Sequence, residues 1–209
     1  MTPASLTAST LDEETARAEV YGLLAALYYA APSADLLAAL RVAVTDAPAQ
    51  GAFLEEPWRA VVGEFGPTPI PPVAAHSLLT LEQWQAVRST WPEEVAVGIT
   101  LANTAEVEDL AEDLPRLALV ALQFPKWVDG RAYSQARTLR ARLRYTGEIR
   151  ATGDVVVDML PLLARTGFDA VQLRDGQSED SARRALTLVT DFYQGDAHQP
   201  RPLFSRVPA

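Results

Sequence analysis

Apolar residues recur at helical spacing through the first part of the chain and condense into short unbroken runs after Trp91. In "LDEETARAEVYGLLAALYYA" (11–30), acidic residues crowd the first turn, where the helix dipole favours them. Val20, Leu23, Leu24, Leu27 and Tyr28 then follow one helical face. The pattern predicts a second helix over "PSADLLAALRVAV" (32–44), with Ser33 as N-cap, and further helical stretches over 52–64 and 80–90. "GPTPIPP" (66–72) breaks the rhythm and reads as a linker. Beyond it, "VAVGITL" (95–101), "LALVALQF" (117–124), "GEIRAT" (147–152) and "FDAVQL" (168–173) predict buried strands. Helices are predicted between and after them, over 104–113, 133–145, 154–166 and 178–194.

Strand followed by helix, four times over, predicts an α/β fold with parallel strands joined by right-handed crossovers. The expectation is an open sheet or half of a β/α barrel, preceded by an N-terminal helical segment. In domain terms this gives a helical appendage (1–65), a linker and connecting helix (66–90) and an α/β domain (91–209). Neither version of the sheet closes on itself, so its free face needs the N-terminal helices or a second copy of the chain. A homo-oligomer is accordingly among the expectations.

Charge sharpens the division. Residues 1–115 carry 17 acidic and 4 basic side chains, whereas residues 116–209 carry 10 acidic and 14 basic. The overall charge of −9 argues against a general nucleic-acid binder. There is no cysteine, which excludes disulfides, thiolate metal sites and cysteine nucleophiles and is compatible with a reducing cytoplasm. "MTPASLTASTLDEE" has no basic n-region or apolar h-region, and the uncharged run over 20–34 is too short to span a bilayer. A soluble cytoplasmic protein without a membrane partner is the expectation.

The positive charge concentrates in "FPKWVDGRAYSQARTLRARLRYTGEIRATGD" (124–154), which holds six of the seventeen arginines and the only lysine. On the helix over 133–145, Ala136, Leu139 and Leu143 form the buried stripe, while Tyr133, Arg137, Arg140 and Arg144 form a parallel one. That second stripe is either a solvated flank with arginine stems along the core edge, or a ridge that binds an anion or a partner. In parallel α/β folds ligands bind at the carboxyl ends of the strands. There the sequence places Asn103, then Lys126, Asp129 and Arg131, then Asp154, then Arg174 and Asp175. Arg150 stands mid-strand and needs a carboxylate (Asp154, Asp158 or Asp169) or a bound anion such as sulfite, sulfate or phosphate.

Several chemistries leave no trace. G-x-G-x-x-G, G-x-x-x-x-G-K-[ST] and G-x-S-x-G are all missing. The two histidines, His76 and His198, fall in a linker and a tail, so neither a metal nor a cofactor of the protein's own is expected. Of the four tryptophans, Trp58, Trp84 and Trp91 read as core or interface, and Trp127 alone lies on the rim.

Two resemblances rest on longer runs. FPK-x-x-DGR-x-YS-x-AR-x-LR, GE-x-RA-x-GDV, GFDA and the closing "PRPLFSRV" resemble the bacterial domain of unknown function numbered 934, over roughly 90–207. Genes of that family typically neighbour those of assimilatory sulfite reductase, and members are often labelled oxidoreductase accessory proteins. The resemblance points to Lys126, Asp129, Gly130, Arg131, Tyr133, Ser134, Arg137, Arg140, Arg150, Gly153, Asp154 and Asp158. Trp127 and Val128 stand where the family usually has Phe-Thr. Val157 and Met159 stand where it commonly has Arg and Gln, and Thr166 where it has Cys. Separately, "ARAEVYGLLAALYYAAPSADLLAALR" resembles the opening helices of TorD/DmsD-type chaperones, which assist molybdoenzyme maturation.

Three functions follow as expectations. The first is an accessory protein of sulfite reduction that binds a small anion, or docks on sulfite reductase, through its arginine-rich edge. The second is a maturation chaperone or peptide-binding module acting through the N-terminal helices. The third is a small α/β enzyme with Lys126 or Asp154 as base. Combining strand order and resemblance, the candidate site residues are Lys126, Asp129, Arg131, Tyr133, Arg137, Arg140, Arg150, Asp154, Asp158 and Arg174.

Overall fold

The structure, a computed structural model, describes residues 41–44, 58–63, 66–67, 69–188, 192–197 and 200–205. The expected helix over 11–30 and most of that over 32–44 lie outside these residues, as do His198 and the last residues of the expected helix over 178–194 other than 192–194.

The framework is an open, curled parallel sheet resembling half a barrel. Its strands are β1 (Arg41–Val44), β2 (Arg59–Ala60), β5 (Ser77–Thr80), β6 (Val97–Leu101), β7 (Leu117–Phe124), β8 (Glu148–Gly153) and β9 (Ala170–Leu173), in the spatial order β1-β9-β8-β7-β6-β5-β2. β3 (Val62–Gly63) and β4 (Gly66–Pro67) form a separate antiparallel pair. From β5 to β9 each strand lies beside its predecessor, always on the same side. Right-handed crossovers in one constant direction put the connecting segments on one face, which is the winding of a β/α barrel.

Helices α1 (Leu81–Val87), α2 (Arg131–Ala141), α3 (Leu160–Thr166) and α4 (Glu179–Thr187) follow β5, β7, β8 and β9. Thr80 caps α1: its hydroxyl accepts from the Gln83 amide, and the Gln83 side chain accepts from the Thr80 amide. Val97, Ile99 and Leu101 of β6 share one core with Val120, Leu122 and Phe124 of β7, Ile149 and Ala151 of β8, and Val171 and Leu173 of β9. Trp84, Ala136, Leu139, Leu160, Leu163, Ala182 and Leu186 belong to the same core, and all these residues are buried.

The sheet is wider than the four strands predicted from the sequence. "SLLT" (77–80) lies inside the segment expected to connect the two halves, yet it pairs in parallel with β6 along its whole length. Four residues are too few for hydrophobic periodicity to separate a strand from the helix that follows. The expected helix over 52–64 is extended where it is described: Arg59–Ala60 pair with β5, and the Val61 amide donates to the Leu78 carbonyl. Arg41–Val44, expected to end a helix, form a strand that covers the edge of β9. "RVAV" alternates and ends on a β-branched residue, so an available strand edge outweighs its helix propensity. The helix over 104–113 is replaced by two 3-10 turns, Val107–Leu110 and Leu114–Arg116, the second containing Pro115, which cannot donate to a helical ladder.

Candidate functional site

Three loops at the carboxyl ends of β7, β8 and β9 meet, and one carboxylate joins them. Pro125 follows Phe124 and the chain turns, with the Asp129 amide donating to the Lys126 carbonyl. Within this turn the Trp127 amide donates to Oδ2 of Asp154 at 2.9 Å. Oδ1 of Asp154 accepts from the Arg174 guanidinium at 2.8 Å. The Asp154 backbone amide in turn donates to the Phe124 carbonyl at 2.8 Å. Gly153 makes this corner with φ +94; a Cβ there would lie 2.5 Å from the Phe124 carbonyl oxygen. The Arg174 guanidinium and the Trp127 amide hold the Asp154 carboxyl below its ordinary range.

The second cation of the rim is likewise engaged. The Arg131 guanidinium meets both carboxylate oxygens of Asp129, at 2.6 and 3.0 Å. This bond holds the Asp129 carboxyl far below its ordinary range, with a smaller contribution from the Arg131 amide. Asn103 is buried at the end of β6, and its Nδ2 has no hydrogen-bond partner. Beneath it, Gln135 of α2 donates from Nε2 to the Ala102 and Ala105 carbonyls, tying the loop after β6 to α2. Lys126 is exposed and forms no ion pair among the described residues. Beside it, Trp127 is 55% exposed and Val128 65%.

The structure thus brings Lys126, Asp129, Arg131, Asp154 and Arg174 to one rim. Asp158 lies exposed in the 3-10 turn Val157–Met159 that leaves it. Tyr133 is half-buried under the rim, its ring 5.2 Å from Phe124 and 6.3 Å from Phe168, and burial pushes its phenol up to about 12. The expected ridge of Tyr133, Arg137, Arg140 and Arg144 is not one surface. Arg137 points to solvent, and Arg144 stands beyond the end of α2 at φ 52. Arg140 reaches the opposite end of the sheet, bonding the Tyr145, Gly147 and Gly167 carbonyls and the Asp169 carboxylate. Arg150 is buried and paired at 2.6 Å with Glu148, two residues back on the same strand face, rather than with any of the three aspartates considered.

Sequence reasoning passed over Gln135 and Glu148. Each carried a signal: Gln135 sits in the apolar stripe formed by Ala132, Ala136 and Leu139, and Glu148 at i−2 is the nearest carboxylate on the Arg150 face. Among the described residues no cluster of His, Asp or Glu is arranged to hold a metal, and no helix is long and apolar enough to cross a membrane.

No curated protein sequence matches this chain. The family model described as "Bacterial protein of unknown function (DUF934)" matches residues 98–204, and every residue of the rim, from Asn103 to Arg174, falls inside that match. With just over half of its length covered, the chain belongs to the DUF934 family.

Proposed function

We propose that this is an accessory protein of assimilatory sulfite reduction, acting in the cytoplasm, which docks on sulfite reductase through the rim around Trp127. One observation carries the docking part: a large indole and a valine stand exposed on a loop whose backbone is pinned by Asp154, beside Lys126, which forms no ion pair among the described residues. An ordered, solvent-facing tryptophan flanked by a cation is the composition of a protein-interface anchor. The sulfite-reduction part rests on the family resemblance alone.

The charge arrangement favours a protein surface over a small anion as the occupant. Arg131 and Arg174, the two guanidinium groups of the rim, are each neutralised by a carboxylate, so an incoming anion would have to displace Asp129 or Asp154. The same pairing disfavours Asp154 as a general base, because its lowered pKa makes it a poor proton acceptor.

Capture of sulfite reductase by the tagged full-length chain is the test, with Trp127→Ala and Lys126→Ala as comparisons. Loss of a central tryptophan anchor weakens association by about 2 kcal/mol or more, roughly thirtyfold. Lys126→Ala acts mainly through the association rate and its salt dependence. Equal capture by the wild type and Trp127→Ala removes the rim from the account. Sulfite binding detected by calorimetry and abolished by Arg131→Ala, without reductase capture, replaces it with the anion reading.

A further inference from the structure

Resting on the docking surface just proposed, we infer that Asp154 is its positioning residue: it sets where Trp127 stands by accepting the Trp127 amide, without itself meeting the partner.

Among the described residues, the loop from Pro125 to Gly130 has little else to hold its exposed half. Trp127 and Val128 face solvent, and Lys126 makes no ion pair among the described residues. The turn bond from the Asp129 amide to the Lys126 carbonyl is internal to the loop. The Asp129–Arg131 pair fixes the loop's far end to the start of α2. The Trp127 amide bond to Asp154 therefore ties the near end to a neighbouring strand. Asp154 is suited to this because its own backbone is fixed, its amide bonded to the Phe124 carbonyl at the end of β7. Its second oxygen takes Arg174, which fixes the rotation of the carboxylate and leaves Oδ2 aimed at Trp127. The Arg174 amide in turn donates to the Val155 carbonyl, so the loop after β9 is bound to the same corner. One carboxylate thus couples three loops, and the exposed indole is displayed from a braced backbone rather than from a free one. Bracing lowers the ordering cost of association, which is how a positioning residue strengthens binding that it does not contact.

The test uses the full chain labelled with 5-fluorotryptophan, which gives one fluorine resonance for each of Trp58, Trp84, Trp91 and Trp127; Trp127→Phe assigns the last. Asp154→Ala is expected to shift the Trp127 resonance and leave the other three in place. Exchange of the Trp127 amide is expected to quicken about fivefold, the scale of one solvent-screened charge-assisted bond. Asp154→Asn keeps one oxygen acceptor, for which the Trp127 amide and the Arg174 guanidinium compete, and is expected to restore part of both signals, whereas a purely fold-level role would not be rescued in this way. An unmoved Trp127 resonance in Asp154→Ala overturns the inference. So does displacement of all four resonances, which would make Asp154 a residue of the fold. Reductase capture is measured on the same samples and is expected to fall in Asp154→Ala and recover in part in Asp154→Asn. If the fluorine result holds while even the wild type captures no reductase, the docking account fails and the positioning of Trp127 by Asp154 stands.

Discussion

Gly153→Ala is the substitution whose cost the geometry states most directly. Gly153 ends β8 at φ +94, a conformation that an L-residue with a Cβ adopts only under strain of about 1–2 kcal/mol. Its Cβ would lie 2.5 Å from the Phe124 carbonyl oxygen and within 3.3 Å of the Phe124 carbonyl carbon and amide nitrogen. These are backbone atoms of the neighbouring central strand, so no side-chain rotation relieves the contact. Moving backbone in a packed core adds about 1–3 kcal/mol, for a total of about 2–5 kcal/mol. In a domain of this size each kcal/mol lowers Tm by about 2–4 °C, so a drop of about 4–20 °C is expected. Gly176 is the control, with φ +77 and no atom within 4 Å of the position a Cβ would take. Gly176→Ala should therefore cost the conformational part alone, about 1 kcal/mol. Urea and thermal unfolding of both variants beside the wild type give the comparison. Equal destabilisation by the two, or a Gly153→Ala change below about 0.5 kcal/mol, refutes the claim that the β8 corner is closed against Phe124.

Other consequences are as direct. Arg140→Ala removes a half-buried guanidinium from three backbone carbonyls and from Asp169, and should cost about 2–4 kcal/mol in urea unfolding, the partial exposure of Asp169 keeping it from the upper end. Tyr145→Phe removes the buried hydroxyl that donates to the Leu117 carbonyl at 3.0 Å and should cost about 1–2 kcal/mol by the same measurement, with no change in reductase capture. Asp129 and Asp154 have pKa values depressed in the folded protein, so their contribution to rim order is fully present above the unfolded carboxylate value of about 4 and fades as pH falls through the lower folded values. The Trp127 fluorine resonance should accordingly hold constant from neutral pH down to about pH 4 and move only in stronger acid; movement between pH 5 and 7 would contradict the pairing.

How far the sequence carried depends on what each residue competes against. "LALVALQF" is apolar on both faces, bounded by Arg116 and Pro125, and the strand occupies Leu117–Phe124 as expected. The bounds of β6, β8 and β9 fall within two residues of those expected. β1, β2 and β5 are illegible in the sequence because two to four residues carry too little period to oppose a helical neighbour; they are strands because β9 offers an edge to β1, β6 one to β5, and β5 one to β2. At the site, strand order alone located Lys126, Asp129, Arg131, Asp154 and Arg174 at the carboxyl ends. What it could not supply was the pairing. Counted as charges, the stretch over 124–154 looks cationic; counted as partners, Arg131, Arg140, Arg142 and Arg150 are each met by a carboxylate. A one-dimensional charge count treats Asp169 and Arg140 as unrelated, although the fold puts them in one ion pair at the opposite end of the sheet from the rim.

The measurement that bears most directly on the central claim is capture of sulfite reductase by the full-length protein from cells grown on sulfate as sole sulfur source, with Trp127→Ala run in parallel. The account predicts reductase subunits with the wild type and their loss with Trp127→Ala while the variant stays folded. Reductase held equally by both, or a molybdoenzyme subunit held instead, would contradict it, the latter moving the function to the N-terminal segment.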